Sequence, residues 1–388
     1  MSQSSTHSTL TRPRVAIIGV GISGLSVAEV LTRKLENIDV TIVADDLSEN
    51  IVSYVAAGFF FPDPLLIPDP KLNLKWAQRT YDHFRRLADD SSDKNAGVHV
   101  IPGYCLHSYG VQKQTKLSKH SFDHWMQQIT GVLRPLSEEE LKQRFLSHQF
   151  QRGAEYETVV ANPFLYLPYL KNRFLQSGKI IERHISFESI DDWNFLTKQF
   201  DLVINCSGMG AVRLLDDHLM CPIRGQTISV HCPEIDRFYK FDRFYVLPQR
   251  TTGRVVLGGI KQFNNGDTRV CAYDRQAIWE NCTRLLPVLE NCSAEDRRDS
   301  VGLRPFRTQL CVNVTQVTPS FPRAVKGRQH ARLTLINNYG FGGNGYTYSY
   351  GVAEHVGQLV VEELGKKRFN CFEGGDWKRN SDLGDKKV

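Results

Sequence analysis

Three glycines, Gly19, Gly21 and Gly24, make a GxGxxG spacing directly after the apolar run VAII. That pattern suits phosphate chemistry. The first glycine permits a tight turn, the second lets backbone approach a pyrophosphate, and the third lets helix and strand pack closely. A helix expected from about Ser23 then offers its free N–H groups to phosphate charge. The next apolar segment, DVTIVA, ends at Asp45, whose carboxylate is placed to accept from both ribose hydroxyls of an adenosine. The fingerprint alone fits NAD and FAD alike. A second cluster, Gly340, Gly342, Gly343 and Gly345, lies between the strand-like ARLTLINNYG and the amphipathic VAEHVGQLVVEEL. Thr347 and nearby N–H groups would stand at a helix N-terminus, partly positive by its dipole. A reduced flavin, negative at N1 and O2, would suit such a terminus. A third apolar run, DLVIN, closes on Cys206, Ser207 and Gly208, as where a ligand is met at the carboxyl edge of a parallel sheet. The plainer alternatives are an empty strand–helix turn, a surface turn, and, for Asp45, a turn residue.

Those groups need elements to hold them. The chain has 388 residues, 41% hydrophobic and 23% charged, which fits a globular protein with roughly two domains. RVAII, DVTIVA and DLVIN read as buried parallel strands, and LNLKWAQRTYDHFRRLA and ANPFLYLPYLKNRFLQSG as helices. Ala56, Ala57 and Gly58 leave room for something flat against the backbone before a proline-rich crossing. The segment 88–135 reads as short strands and loops, and 136–148 as a charged helix. From Pro222 the texture turns to alternating β segments, GQTISVHC, RFYVLPQ and RVVLGGIKQF, with one helix, RQAIWENCTRLLPVLEN. The fold class expected is therefore α/β: a Rossmann-like dinucleotide domain plus a second domain rich in antiparallel sheet.

Composition narrows the function. The net charge of +6 is spread along the chain without a basic run, which argues against nucleic acid. Nine cysteines are scattered without a CxxC pair, so neither a disulfide framework nor a metal site is expected. No stretch approaches the roughly 20 apolar residues that cross a bilayer. The polar start MSQSSTHSTLTRPR and the polar tail RNSDLGDKKV, which lacks an SKL-type ending, lead to a cytoplasmic expectation, with both tails (1–11 and 372–388) disordered.

In register along nearly the whole chain, the segments RVAIIGVGISGLS, VAAGFFFP, NCSG, PIRGQTISV, YVLP, VVLGGIKQF, VGLRPFR and NNYGFGGNGYT resemble the D-amino-acid oxidase family. The resemblance implies noncovalent FAD. It also implies a discontinuous FAD-binding domain (12–66, 152–218 and 303–366) and a substrate domain (67–151 and 219–302). The implied activity converts a D-amino acid to an imino acid by hydride transfer to flavin N5; oxygen then reoxidises the flavin to give hydrogen peroxide. The imino acid hydrolyses to a 2-oxo acid and ammonia. By position, Arg304 of GLRPFR resembles the residue that forks onto the substrate carboxylate, for which its planar donors are suited. Tyr245 would add a hydroxyl to that carboxylate, and the Gly343 carbonyl would accept from the amine. The FAD shell carried over comprises Gly19, Gly21, Ile22, Ser23, Gly24, Asp45 and Asp46, then Ser53, Ala57, Gly58 and Ile185. Cys206, Ser207 and Gly208 follow, with Arg304, Gly342, Gly343, Gly345, Tyr346 and Thr347 completing it.

Within the family, Lys261 of LGGIKQ stands where acidic-substrate members carry a basic residue, with Arg243 as a second positive charge. An ammonium about 4 Å from a side-chain carboxylate gains roughly 4 kcal/mol before desolvation at an effective dielectric near 20. The expectation is an oxidase of acidic D-amino acids (D-aspartate, D-glutamate), with neutral D-amino acids, or a flavin dehydrogenase using another acceptor, as alternatives. The sequence departs from the family pattern at several places: Phe241 for a lid tyrosine, Asp46 for an Arg, Phe60 and Phe61 for a Trp-Gln pair beside the flavin, and Phe341 for a His. Monomer and homodimer both stay open, and a peroxisomal location is the second expectation.

Overall fold

A computed structural model describes residues 12–62, 70–108, 122–146, 150–183, 193–317 and 332–366. The expected tails and Ile185 lie outside these residues. The chain opens with β1 (Arg14–Ile18), α1 (Ile22–Lys34), β2 (Asp39–Ala44), a short α2 (Val52–Val55) and a long α3 (Pro70–Asp89). There follow β3 (Val98–Ser108), α4 (Phe122–Thr130), β4 (Leu133–Pro135), α5 (Glu138–Arg144) and β5 (Phe150–Ala161). Next are α6 (Pro163–Gln176), β6 (Ile180–Arg183), α7 (Trp193–Gln199), β7 (Leu202–Asn205) and α8 (Ala211–Leu215). The antiparallel strands come next: β8 (Met220–His231), β9 (Phe238–Phe241), β10 (Phe244–Gln249), β11 (Arg254–Gly258) and β12 (Gln262–Phe263). The chain continues with α9 (Ala272–Leu285), β13 (Arg298–Val317), β14 (Leu333–Phe341) and α10 (Gly345–Lys366).

All strands join one sheet in the order β4-β5-β3-β9-β10-β11-β8-β13-β14-β7-β1-β2-β6, with β12 on β8. One wing, β14-β7-β1-β2-β6, is parallel. Its strands RVAII and LVIN are apolar almost throughout because helices and sheet bury both their faces. The other wing, from β8 to β9, is antiparallel. Between them β13, 20 residues long, runs antiparallel to both β8 and β14. The fold class expected from the sequence is the one observed. Helix α1 begins at Ile22, one residue before the expected start, and α10 already begins at Gly345. Within 88–135, expected to mix short strands and loops, the described residues hold a long strand, β3, the helix α4 and the short strand β4.

One core unites β1, β2, α1, α3, α6 and α10, and a second lies under the antiparallel wing around Ile228, Val246, Leu257 and Ile278. Helices α10 and α3 touch at backbone level, because a Cβ on Gly351 would lie 2.1 Å from the Trp76 carbonyl oxygen. Beside this contact runs a polar seam. His83 stacks on Tyr350 at 3.7 Å and 2°. Arginine can only donate, so His83 Nδ1 accepts from Arg86 at 2.9 Å and Nε2–H donates to the Tyr166 hydroxyl at 3.1 Å. Glu354 closes the seam against both Lys34 and Arg79.

Candidate active site

The first part of the site is a cradle of backbone. Gly19 has φ +102°, which a side chain would strain, and a Cβ there would lie 2.6 Å from the Cys206 carbonyl oxygen. A Cβ on Gly24 would lie 2.0 Å from the Gly19 oxygen, so this glycine sets the closeness of α1 to its strand. At the start of α1, Gly21 supplies no cap, the first turn holds no acid, and Ile22 N–H donates to Ser53 Oγ at 3.0 Å. The Ser53 carbonyl in turn accepts from the Tyr346 hydroxyl at 3.0 Å. Ser53 thereby clasps the start of α1 to the start of α10, where Gly345 packs beside Ile22. Two helix N-termini thus converge, and their dipoles favour anionic groups.

Around this point stand the remaining expected contacts. Thr347 is fully buried, and its Oγ1 accepts from the Phe61 N–H at 3.2 Å. Ser207 Oγ is buried with no hydrogen-bond partner among the described residues, at the carboxyl end of β7. Cys206 accepts from Asn338 at 3.4 Å, and burial pushes its thiol up to about 12, which keeps it protonated. Asp45 and Asp46 are exposed just past β2, Asp45 accepting from the Asp46 N–H at 2.9 Å. The Ala57 carbonyl accepts from Gln249 at 2.8 Å, tying this strap to β10. Gly58 touches backbone: a Cβ there would lie 1.8 Å from the Ala161 oxygen. The glycine clearance, the acid-free helix start and the unpartnered Ser207 hydroxyl fit a dinucleotide such as FAD.

The second part is a recess built from side chains. Arg304 lies on β13 and Tyr245 on β10, with β8 and β11 between them in the sheet. Glycines on those intervening strands make the room. A Cβ on Gly225 would lie 2.2 Å from Arg304 Nη1, and one on Gly258 would lie 2.4 Å from the Tyr245 hydroxyl. Arg304 Nη1 donates to the Ile260 carbonyl at 3.1 Å, which aims the guanidinium. The Cβ position of Gly343 is 3.7 Å from Arg304 Cδ, so the second glycine turn borders the same recess. Burial pulls the Arg304 guanidinium down from its usual range, with Tyr245 opposing. Burial lifts the Tyr245 phenol, against the pull of Arg304. Among the described residues no carboxylate pairs with Arg304.

Other expected residues are placed differently. Lys261 is exposed, one residue beyond Ile260, and Arg243 is exposed at the β9–β10 turn with its guanidinium 4.8 Å from the centre of the Phe244 ring. Phe241 is only 2% exposed and belongs to the core of the antiparallel wing, so it does not take the position of a lid. Phe60 packs into the core against Tyr81, while Phe59 and Phe61, two residues apart on the extended chain, stack at 5.4 Å. Phe60 and Phe61 therefore face opposite ways, and Phe59 shares the side of Phe61. Gly225, Gly258 and Ile260 were not singled out from the sequence. The two glycines carried a general signal, because a glycine inside a strand pattern marks close approach, whereas Ile260 carried none.

Among the described residues there is no cluster of metal-ligating side chains, every cysteine is free, and no helix is long and apolar enough to cross a membrane.

Residues 14–359 match the family model described as DAO, FAD dependent oxidoreductase. The chain is 32% identical over 355 residues to the D-amino acid oxidase of Dugesia ryukyuensis, covering 91% of this chain and 99% of that protein. It is 29% identical over 352 residues to the D-aspartate oxidase of Homo sapiens, covering 90% and 95%. Among solved structures, glycine oxidase from Bacillus cereus ATCC 14579 shares the fold with a TM-score of 0.66 at 19% identity, covering 90% of this chain and 95% of that one.

Proposed function

Because the chain belongs to the DAO family of FAD-dependent oxidoreductases, we propose that it oxidises D-amino acids with noncovalently held FAD and dioxygen as acceptor. The observation that carries the reading is Arg304, a half-buried cation held by the Ile260 carbonyl with no carboxylate of its own among the described residues. A partly desolvated charge without an opposite partner is unfavourable, so such a site is suited to an anion from outside. The carboxylate of an amino acid fits a planar guanidinium through two parallel hydrogen bonds. Tyr245, held protonated by burial, donates a further bond to the same group. The Gly343 carbonyl accepts from the substrate amine. Bound FAD supplies the two-electron acceptor for the substrate's Cα–H bond. The protein's share is orientation: fixing carboxylate and amine leaves one hand of the α-carbon with its hydrogen toward the cradle. No side chain is required as base if the amine binds neutral.

The cradle residues Gly19, Gly21, Ile22, Ser23, Gly24, Ser53, Ser207, Gly342, Gly345, Tyr346 and Thr347 would hold the cofactor, with Asp45 toward the ribose. The division into FAD-binding and substrate parts stands as part of this proposal, with α3 packed on the FAD-binding side through α10.

The narrower reading is preference for acidic D-amino acids. It is supported by Lys261, whose backbone directly follows the carbonyl that aims Arg304. The test of both readings is peroxide release by the purified protein with added FAD on D-aspartate, D-alanine and L-aspartate in parallel. Peroxide from both D-amino acids and none from L-aspartate is the expected outcome, with D-aspartate ahead. D-Alanine ahead would remove the acidic preference. No peroxide and no flavin bleaching from any D-amino acid would remove the function.

A further inference from the structure

Three residues beyond Arg304, β13 loses its pairing with β14. Phe306 faces Phe341, yet the next paired residues are Cys311 and Tyr339, so β13 carries extra residues that the ladder does not hold. At this break a carboxylate joins the two strands. Asp217 Oδ2 accepts from Arg307 Nε at 2.9 Å on β13 and from the Tyr339 hydroxyl at 2.7 Å on β14. Both ion-pair side chains are mostly buried, 10% and 16% exposed. Burial would lift the Asp217 carboxyl, but the bonds from Tyr339 and Arg307 outweigh it and hold it below its ordinary value. Arg307 also packs on the glycine turn, since a Cβ on Gly340 would lie 2.8 Å from Arg307 Cβ.

The geometry follows from the sequence on either side. Arg304 precedes the break on one strand, and Gly342 and Gly343 follow Tyr339 on the other. We propose that Asp217 is a positioning residue: through Arg307 and Tyr339 it sets Arg304 against the Gly340–Gly343 turn, and so fixes where a bound carboxylate lies relative to the cofactor. This rests on the reading of Arg304 as the carboxylate anchor. Backbone pairing of β13 with β8 holds Arg304 on its other side but says nothing of its distance from β14.

The test uses the FAD-loaded protein and a simple monocarboxylate, propionate, titrated by the change in flavin absorbance, with Arg304→Leu as the blank. Tyr339→Phe removes one hydroxyl and keeps the ring in the core, and Asp217→Asn removes the charge. Asp296→Asn breaks a comparable pair with Arg254 at the far end of β11 and serves as the stability control. The proposal expects Tyr339→Phe and Asp217→Asn to weaken propionate about tenfold, with FAD affinity within about threefold of wild type, and Asp296→Asn to lower only Tm. Propionate affinity unchanged in both brace variants, whatever their Tm, overturns it. Propionate binding that does not depend on Arg304 also overturns it. Arg304-dependent propionate binding in a protein that oxidises no D-amino acid removes the proposed function, while the brace is still decided by the two variants.

Discussion

The cradle and the recess both rest on glycine, but they use it in opposite ways. In the cradle, Gly19 and Gly24 press backbone on backbone, and the groups offered to the ligand are largely main-chain N–H groups at helix starts. In the recess, Gly225 and Gly258 are gaps in the middle of strands through which Arg304 and Tyr245 extend. The lesson is that one region depends on the path of the chain and the other on two side chains. The sharpest break between them is Arg304→Leu. Leaving a substrate carboxylate without its charged partner costs about 2–5 kcal/mol, so kcat/KM should fall more than about 30-fold on every D-amino acid. FAD affinity, measured by quenching of flavin fluorescence, should stay near wild type. A parallel loss of FAD would show that cradle and recess are one unit and that Arg304 is chiefly a cofactor ligand.

A matched pair of alanine substitutions comes next in size. Gly24→Ala places its methyl 2.0 Å from a carbonyl oxygen, a backbone atom that has little room to shift. Overpacking of about 1–3 kcal/mol or more is expected, read as a lower Tm and weaker FAD binding. Gly258→Ala instead meets the ring end of Tyr245. It should displace the phenol and raise KM about tenfold, with FAD affinity and Tm little changed; both rest on side-chain give of a few tenths to about 1 kcal/mol. Loss of FAD from Gly258→Ala with normal KM would reverse the contrast.

That contrast also explains what was legible in the sequence. The cradle is local: strand, glycine turn and helix are consecutive, so RVAIIGVGISG could be read as a phosphate turn from its spacing alone. The second glycine turn and the NCSG strand end were legible for the same reason. The clasp by Ser53 was not, because its two partners, Ile22 and Tyr346, lie far apart along the chain and meet only through packing. The recess spans four strands, and no spacing tells that Gly225 makes room for Arg304 or that Ile260 aims it. Resemblance supplied Arg304 and Tyr245; the reason they can meet is tertiary. That Phe60 and Phe61 face opposite ways was not legible from the pair alone, although neighbours on an extended chain do so, and Phe59 shares the side of Phe61.

Acid should loosen the cradle through the helices behind it. Burial holds His83 well below its ordinary value, with Arg86, Arg33 and Arg173 adding to the effect, so the folded protein keeps this ring neutral. Below about pH 6.5 the unfolded chain takes up a proton that the folded one refuses. Stability is therefore complete above that pH and falls as pH drops, by at most about 1.4 kcal/mol per pH unit for one group. His99 on β3, which joins the sheet beyond β9, is pushed down by burial to about 4 and adds its own share. His83→Gln can keep both bonds, accepting from Arg86 and donating to Tyr166, while removing the titration. Tm and FAD release followed from about pH 7 to about pH 5 should then show a shallower slope than wild type. Equal slopes would place the acid sensitivity in other groups, His99 or His355 among them.

The smallest effect is expected at Lys261, exposed and one residue beyond Ile260. A buried partner for a second carboxylate would discriminate strongly, but Lys261 is exposed, and exposed ion pairs are worth about 0.2–1 kcal/mol after screening. Lys261→Leu should therefore lower kcat/KM for D-aspartate by no more than about fivefold, spare or improve D-alanine, and leave FAD affinity alone. Raising salt should shrink the wild-type preference toward that of the variant, because a solvent-facing charge is screened within about 10 Å at 0.1 M ionic strength. A large, salt-insensitive loss on D-aspartate would mean that the lysine folds into the recess when substrate binds, making it a third side chain of that region alongside Arg304 and Tyr245. An equal loss on both substrates would make it part of the support for Ile260 and remove it from specificity altogether.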